Sequence, residues 1–119
     1  MSGIKIWVDD VREAPVGYIW AKSTRDALRK IVLEYKDEVE LIDLDHDAGD
    51  FAKDGGDFIN VLNELERLSR KTTIVNGARF HNFWHLKCQQ ITFRLHTMNP
   101  VGRENMRRII ERNGWKEIQ

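Results

Sequence analysis

The sequence holds a single cysteine, Cys88, among its 119 residues. That excludes an internal disulfide and a multi-cysteine zinc site, and it suits a reducing compartment. Charge of one sign is not in excess, since Lys+Arg and Asp+Glu both number 19. A domain that grips duplex DNA carries a basic surplus, so duplex DNA is not an expected partner. No run approaches the roughly 20 apolar residues of a membrane span. The opening Met-Ser-Gly-Ile-Lys-Ile-Trp lacks the basic and then apolar pattern of a secretory leader. A cytoplasmic protein with no membrane partner is the expectation. Repeats and low-complexity tracts are also missing, and 41% hydrophobic with 32% charged residues is ordinary globular composition. The length fits one domain, residues 1–119.

What is present is an alternation of short apolar runs and helical patterns. Ile4 to Val8 and Tyr18 to Ala21 read as strands, parted by a loop with Pro15 and Gly17. Ser23 is placed to cap a helix over Thr24 to Lys36, with Asp26 near its positive end. Val39 to Leu44 is a third strand; Ala48 to Gly56 is a polar loop; Phe58, Val61, Leu62, Leu65 and Leu68 mark a helix from Gly56 to Arg70. Residues 71–90 read as an insertion, either a hairpin turning at Asn76-Gly77 or a short helix. Ile91 to Leu95 is a fourth strand, and Asn99-Pro100 starts a helix that Gly114 ends before a last strand. Strands alternating with helices predict an α/β, doubly wound, mainly parallel five-stranded sheet covered on both faces, and the flavodoxin-like arrangement of such a sheet has the order 2-1-3-4-5.

The strands end in polar residues: Asp9-Asp10, then Asp45-His46-Asp47, then His96-Thr97. In such a sheet ligands bind beyond the carboxyl ends of the strands, where the strand order reverses, so these groups are expected to meet. Asp9, Asp10, Asp45 and Asp47 suit a divalent cation such as Mg²⁺ or Mn²⁺, and adding His46 and His96 suits a transition metal. The Asn99 helix start, Gly102 and Arg103 suit an anion, with Thr97 beside them. Carboxylates facing phosphate donors make a recurring arrangement for phosphoryl chemistry. His46 and His96, with Asp45, are the candidate catalytic groups. Each feature has a plainer reading: adjacent acids are usually a solvated turn, Asn99-Pro100 caps a helix in any case, and Arg103 is a common surface residue. His81 and His85 have zinc-pair spacing without a third ligand, and Cys88 has no base partner, so structural roles are expected for all three. Tryptophans are mostly core, though Trp20 or Trp84 suits a base-stacking wall.

Three segments carry a resemblance: Ile-Trp-Val-Asp-Asp-Val-Arg (6–12), Leu-Asp-His-Asp-Ala-Gly (44–49) and His-Thr-Met-Asn-Pro-Val-Gly-Arg-Glu-Asn-Met (96–106). Together they resemble the cyclic-phosphate processing receiver domain, found in small bacterial and phage proteins. The resemblance implies a receiver-like fold and a site built from Asp9, Asp10, Arg12, Asp45, His46, Asp47, His96, Asn99 and Arg103. It also implies a phosphoesterase, a hydrolase for a cyclic or terminal phosphate of a small-molecule nucleotide or an RNA end, with Arg12 added to the phosphate binders. The alternative is a non-catalytic receiver-like module that binds a nucleotide or a protein. A phosphorelay receiver fits less well, because the lysine expected after the fifth strand is missing and His46, His96 and Arg103 have no part in it. Asp43 departs from the expected small or apolar strand residue.

Overall fold

The computed structural model describes residues 3–119. Strands β1 (Ile4–Val8) and β2 (Tyr18–Ala21) lead into helix α1 (Thr24–Arg29), which continues as a π-helical turn, Lys30–Glu34. Strand β3 (Val39–Leu44), a 3₁₀ segment (Gly49–Lys53) and helix α2 (Ile59–Ser69) follow. Next come β4 (Thr72–Val75), β5 (Ala78–His81), α3 (Phe83–Gln90), β6 (Thr92–Leu95), α4 (Pro100–Arg112) and β7 (Lys116–Ile118). The main sheet is five-stranded and parallel in the order β2-β1-β3-β6-β7, which is the expected 2-1-3-4-5 with the hairpin strands counted.

Local differences from the sequence reading have physical causes. The helix expected from Gly56 begins at Ile59, because Gly55 and Gly56 adopt φ of +111° and +83°, outside the helical region. The helix expected through Lys36 changes pitch after Arg29, where the Tyr35 amide bonds back to the Lys30 carbonyl at 2.8 Å. Residues 71–90 hold both proposed elements. The hairpin β4–β5 turns at Asn76-Gly77 with positive φ at both residues, and α3 follows, capped by the Asn82 side chain.

The crossovers explain where the helices lie. Every connection that carries the chain from β2 to β3, from β3 to β6 and from β6 to β7 moves in one direction across the sheet. Right-handed crossovers then put α1, α2, α3 and α4 on one face, and α2 indeed packs against the other three. Only the step from β1 to β2 runs backwards, and it is a loop without a helix, residues 9–17. Cover on both faces, expected of a parallel sheet, is therefore found on one. The covered side holds the core: Ile6, Val8, Ile42, Leu44 and Phe93 of the sheet against Phe58, Val61, Leu62, Leu65, Met106 and Ile110. Cys88 and Trp84 are buried there too, and burial pushes the Cys88 thiol up to about 12, which makes it an inert group. Among the described residues no helix is long and apolar enough to cross a membrane.

One polar clamp ties α2 to the end of α4. Glu66, almost buried, accepts from the Arg112 guanidinium at 2.7 Å twice, from Asn113 Nδ2 at 2.6 Å and from Arg70 at 3.1 Å. The Arg112 hydrogen bonds hold its carboxyl below the ordinary value near 4.5, against the opposing effect of burial. A carboxylate depressed in the folded state stabilises above its unfolded value and loses that contribution as pH falls through the folded one. Glu66→Gln should lower stability by about 2 kcal/mol at neutral pH. In denaturant titrations across pH the gap between variant and wild type should narrow as the pH drops below 4.5; an undiminished gap would show that the charge is not what matters.

Candidate active site

Beyond their last formal residues, the central strands keep their ladder for one more step. The Asp45 amide bonds to the Val8 carbonyl and the His96 amide to the Leu44 carbonyl, each at 2.9 Å. Asp9, Asp45 and His96 therefore stand side by side at the carboxyl edge of three adjacent strands. Parallel pairing places groups 87 residues apart, Asp9 and His96, in direct contact.

Asp9 is fully buried. Its Oδ1 accepts the amides of Val11 at 3.0 Å and Arg12 at 2.8 Å, and its Oδ2 lies 2.8 Å from His96 Nε2. Burial alone would raise the Asp9 pKa, but the two amides and His96 together hold it below the ordinary value. The second ring nitrogen of His96, Nδ1, is 2.7 Å from Oδ1 of Asp43, which is also fully buried and takes Arg94 at 3.3 Å on its other oxygen. The His96 ring stacks on Trp7 with centroids 3.8 Å apart and planes 3° from parallel. A neutral imidazole has one donor and one acceptor. Both contacts are satisfied when the ring carries two protons, or when one carboxyl keeps its own. His96 thus bridges two buried acids, and neither of its nitrogens is free.

Asp10 and Asp45 complete a group with Asp9 in which one oxygen from each lies within 4.8 Å of the others. Burial raises the Asp10 pKa, and the neighbouring Asp9 and Asp45 charges add to the effect. Such like-charge crowding is relieved by a cation, and an all-oxygen donor set suits Mg²⁺ or Mn²⁺. Gly49, at φ +53°, leaves room for the Asp10 carboxylate where a Cβ would collide with it.

Asp47 does not join those three. It lies with His46 and Asp57 in a second group of the same tightness. His46 Nδ1 is 2.8 Å from Asp47 Oδ1, and Asn99 Nδ2 donates to that same oxygen at 3.2 Å. The His46 bond, with Asn99 in support, keeps the Asp47 carboxyl below its ordinary value. His46 Nε2 has no hydrogen-bond partner among the described residues.

The expected phosphate binders divide. Gly102 faces the His46 ring so closely that a Cβ would overlap it, and its amide donates to the Asn99 cap at 2.9 Å. Thr97 is fully buried, its hydroxyl accepting the Asn99 amide at 3.1 Å. These two shape the site from behind and do not line open space. Arg12 is half exposed, 3.6 Å from Asp9 and 3.5 Å from the His96 carbonyl; Arg103 donates to the Thr97 carbonyl. Both guanidiniums keep further donors. Lys116 opens β7 beside Thr92, at the far end of the strands from this edge, so it cannot take the phosphorelay role.

A family model described as the cyclic-phosphate processing receiver domain matches residues 4–112. The chain belongs to that family. No curated protein matches it, and no solved structure does. The family's description joins a receiver domain to the processing of cyclic phosphates, and the parallel sheet with its acidic edge is consistent with both parts.

Three participants escaped the sequence reading. Asp43 stood out only as an acid in an apolar strand, whereas its partner His96 is 53 residues away. Asp57 follows two glycines and looks like loop. Trp7 looks like core, and only the register that pairs it with Asp43 explains its contact with His96. His81 and His85 stack on each other at 3.8 Å and belong to no group of three ligating side chains among the described residues. His96→Ala should leave two buried carboxylates without their shared partner and destabilise the fold by about 3–5 kcal/mol, with His96→Gln milder. Chemical denaturation would measure this, and a His96→Ala protein as stable as wild type would show that the pair is not held together by the ring.

Proposed function

We propose that the protein is a phosphoesterase that hydrolyses a cyclic or terminal phosphate of a nucleotide or RNA end, assisted by a divalent cation. The observation that carries this reading is the convergence of Asp9, Asp10 and Asp45 within 4.8 Å, beside the Arg12 and Arg103 guanidiniums and the His46–Asp47 pair. Membership of a cyclic-phosphate processing family supports it. Asp10 and Asp45, with Asp9 behind them, would hold Mg²⁺ or Mn²⁺; such an ion polarises a phosphoryl oxygen and acidifies bound water.

The chain's own residues supply the rest. Arg12 and Arg103 would take non-bridging phosphate oxygens, with the Asn99 helix start behind them. His46, oriented through Nδ1 by Asp47, presents Nε2 as the proton carrier. Water attacks phosphorus while Nε2 accepts its proton. The bond from phosphorus to one ribose oxygen breaks, and that oxygen receives the proton back. His96, with both nitrogens engaged, serves as a positioning residue that orients Asp9 and balances its charge.

Purified protein should open 2′,3′-cyclic nucleotides, cyclic dinucleotides or RNA ends bearing a cyclic or terminal phosphate, and EDTA should suppress the turnover. Asp10→Asn and Asp45→Asn should lose the cation stimulation, and His46→Ala should reduce kcat by about 10²–10⁴. Failure to turn over any of these substrates, with or without EDTA, would remove the enzyme reading. A ligand-induced rise in Tm without product would then favour a binding module.

A further inference from the structure

The face of the sheet without helices is a two-row array, because paired residues in a parallel sheet point to the same side. The first row runs Tyr18, Lys5, Leu41, Thr92, Lys116; the second runs Trp20, Trp7, Asp43, Arg94, Ile118. Lys5, Arg94 and Lys116 are exposed, and Trp7, Tyr18 and Trp20 are half-buried. Lys22 stands over the Trp20 ring at 4.4 Å and Lys5 near the Tyr18 ring at 5.8 Å. The only acid in the array, Asp43, is buried and engaged by His96 and Arg94. Glu40, at the bulge on the rim, bonds to the Gly3 amide. A depression of about 460 Å³ lies between Lys5, Leu41, Thr92 and Lys116, and Glu40 also lines it.

This face runs without a break into the candidate active site. The Trp20 indole donates to the Asp9 carbonyl at 2.7 Å and the Trp7 indole to the Arg12 carbonyl at 2.8 Å. From Lys5 to Asp9 is four residues of strand, about 13 Å. Parallel sheets are ordinarily covered on both faces, so this one calls for an occupant. A second copy of the chain would set Lys5, Arg94 and Lys116 against their own kind, which disfavours it. A chain of phosphates carrying flat bases matches both the cations and the rings, and sheet faces with aromatic residues stack single-stranded bases.

We infer that this open face binds single-stranded RNA and delivers its phosphate-bearing end to the Asp9–Asp10–Asp45 edge. The favoured substrate class is then an RNA end, with a cyclic mononucleotide as the minimal substrate that reaches the edge without using this face. The inference rests on the proposed hydrolysis for what happens at that end, but the binding itself is independent of it.

Fluorescence anisotropy with a labelled single-stranded RNA, the matching duplex and the matching DNA tests it, at about 50 and 200 mM salt. Wild type should prefer the single strand, with affinity falling as salt rises. The Lys5→Glu/Lys116→Glu double variant should bind at least about tenfold more weakly with a shallower salt dependence, and Tyr18→Ala should lose about tenfold. Hydrolysis of a 2′,3′-cyclic mononucleotide should be unchanged in all of these. RNA binding that the variants leave intact, or no RNA binding by wild type, would overturn the inference, as would a wild-type dimer that the charge variants dissociate. Turnover of mononucleotide without RNA binding would sink this inference alone. RNA binding without turnover of any substrate would sink only the hydrolysis.

Discussion

His96 between Asp9 and Asp43 is the contact on which the edge of this sheet depends. It joins three neighbouring strands, and it does so with two carboxylates that are fully buried. A buried carboxylate without a partner is expensive. The imidazole, stacked on Trp7, supplies hydrogen bonds to both at once, while the Val11 and Arg12 amides finish the coordination of Asp9. With Asp9 held in this way, Asp10 is fixed beside Asp45, and crowding of negative charge follows. The same bonds that stabilise the edge therefore gather the three carboxylates that the proposed hydrolysis assigns to a cation. They also engage both nitrogens of His96, whereas His46 keeps an Nε2 with no hydrogen-bond partner among the described residues.

The crossover directions have a second consequence. Because only the β1-to-β2 connection runs backwards and carries no helix, the four helices share one face and the other face carries none. Cation-bearing side chains and aromatic rings can occupy that face without disturbing the core, which lies wholly beneath the helices. The acidic edge and the basic, aromatic face meet at the Asp9–Arg12 loop, which two tryptophan indoles hold from below. Net neutrality of the chain thus conceals a strong local separation of charge.

Much of this was legible in the chain itself. Apolar periodicity gave the element order, the receiver-like arrangement gave the sheet order, and the Asn99-Pro100 pair gave the start of α4. Glycine conformations were less legible: Gly55 and Gly56 delay α2 by their positive φ, and a pattern of leucines cannot reveal that. Gly102, which the sequence places beside an anion at the helix start, faces the His46 ring, where a Cβ would overlap it. Thr97 was read as a phosphate contact, yet burial turns its hydroxyl inward to the chain.

By itself the sequence determined the fold class, the family motifs and the collection of acids and histidines at strand ends, because these follow from residue type and spacing along one chain. Only the tertiary structure decided which of them touch. Asp43 rather than solvent meets His96, and Asp47 pairs with His46 instead of the Asp9 group. It also decided which sheet face stays open. Those outcomes depend on strand register and crossover direction, which bring together residues tens of positions apart and leave no mark in local sequence.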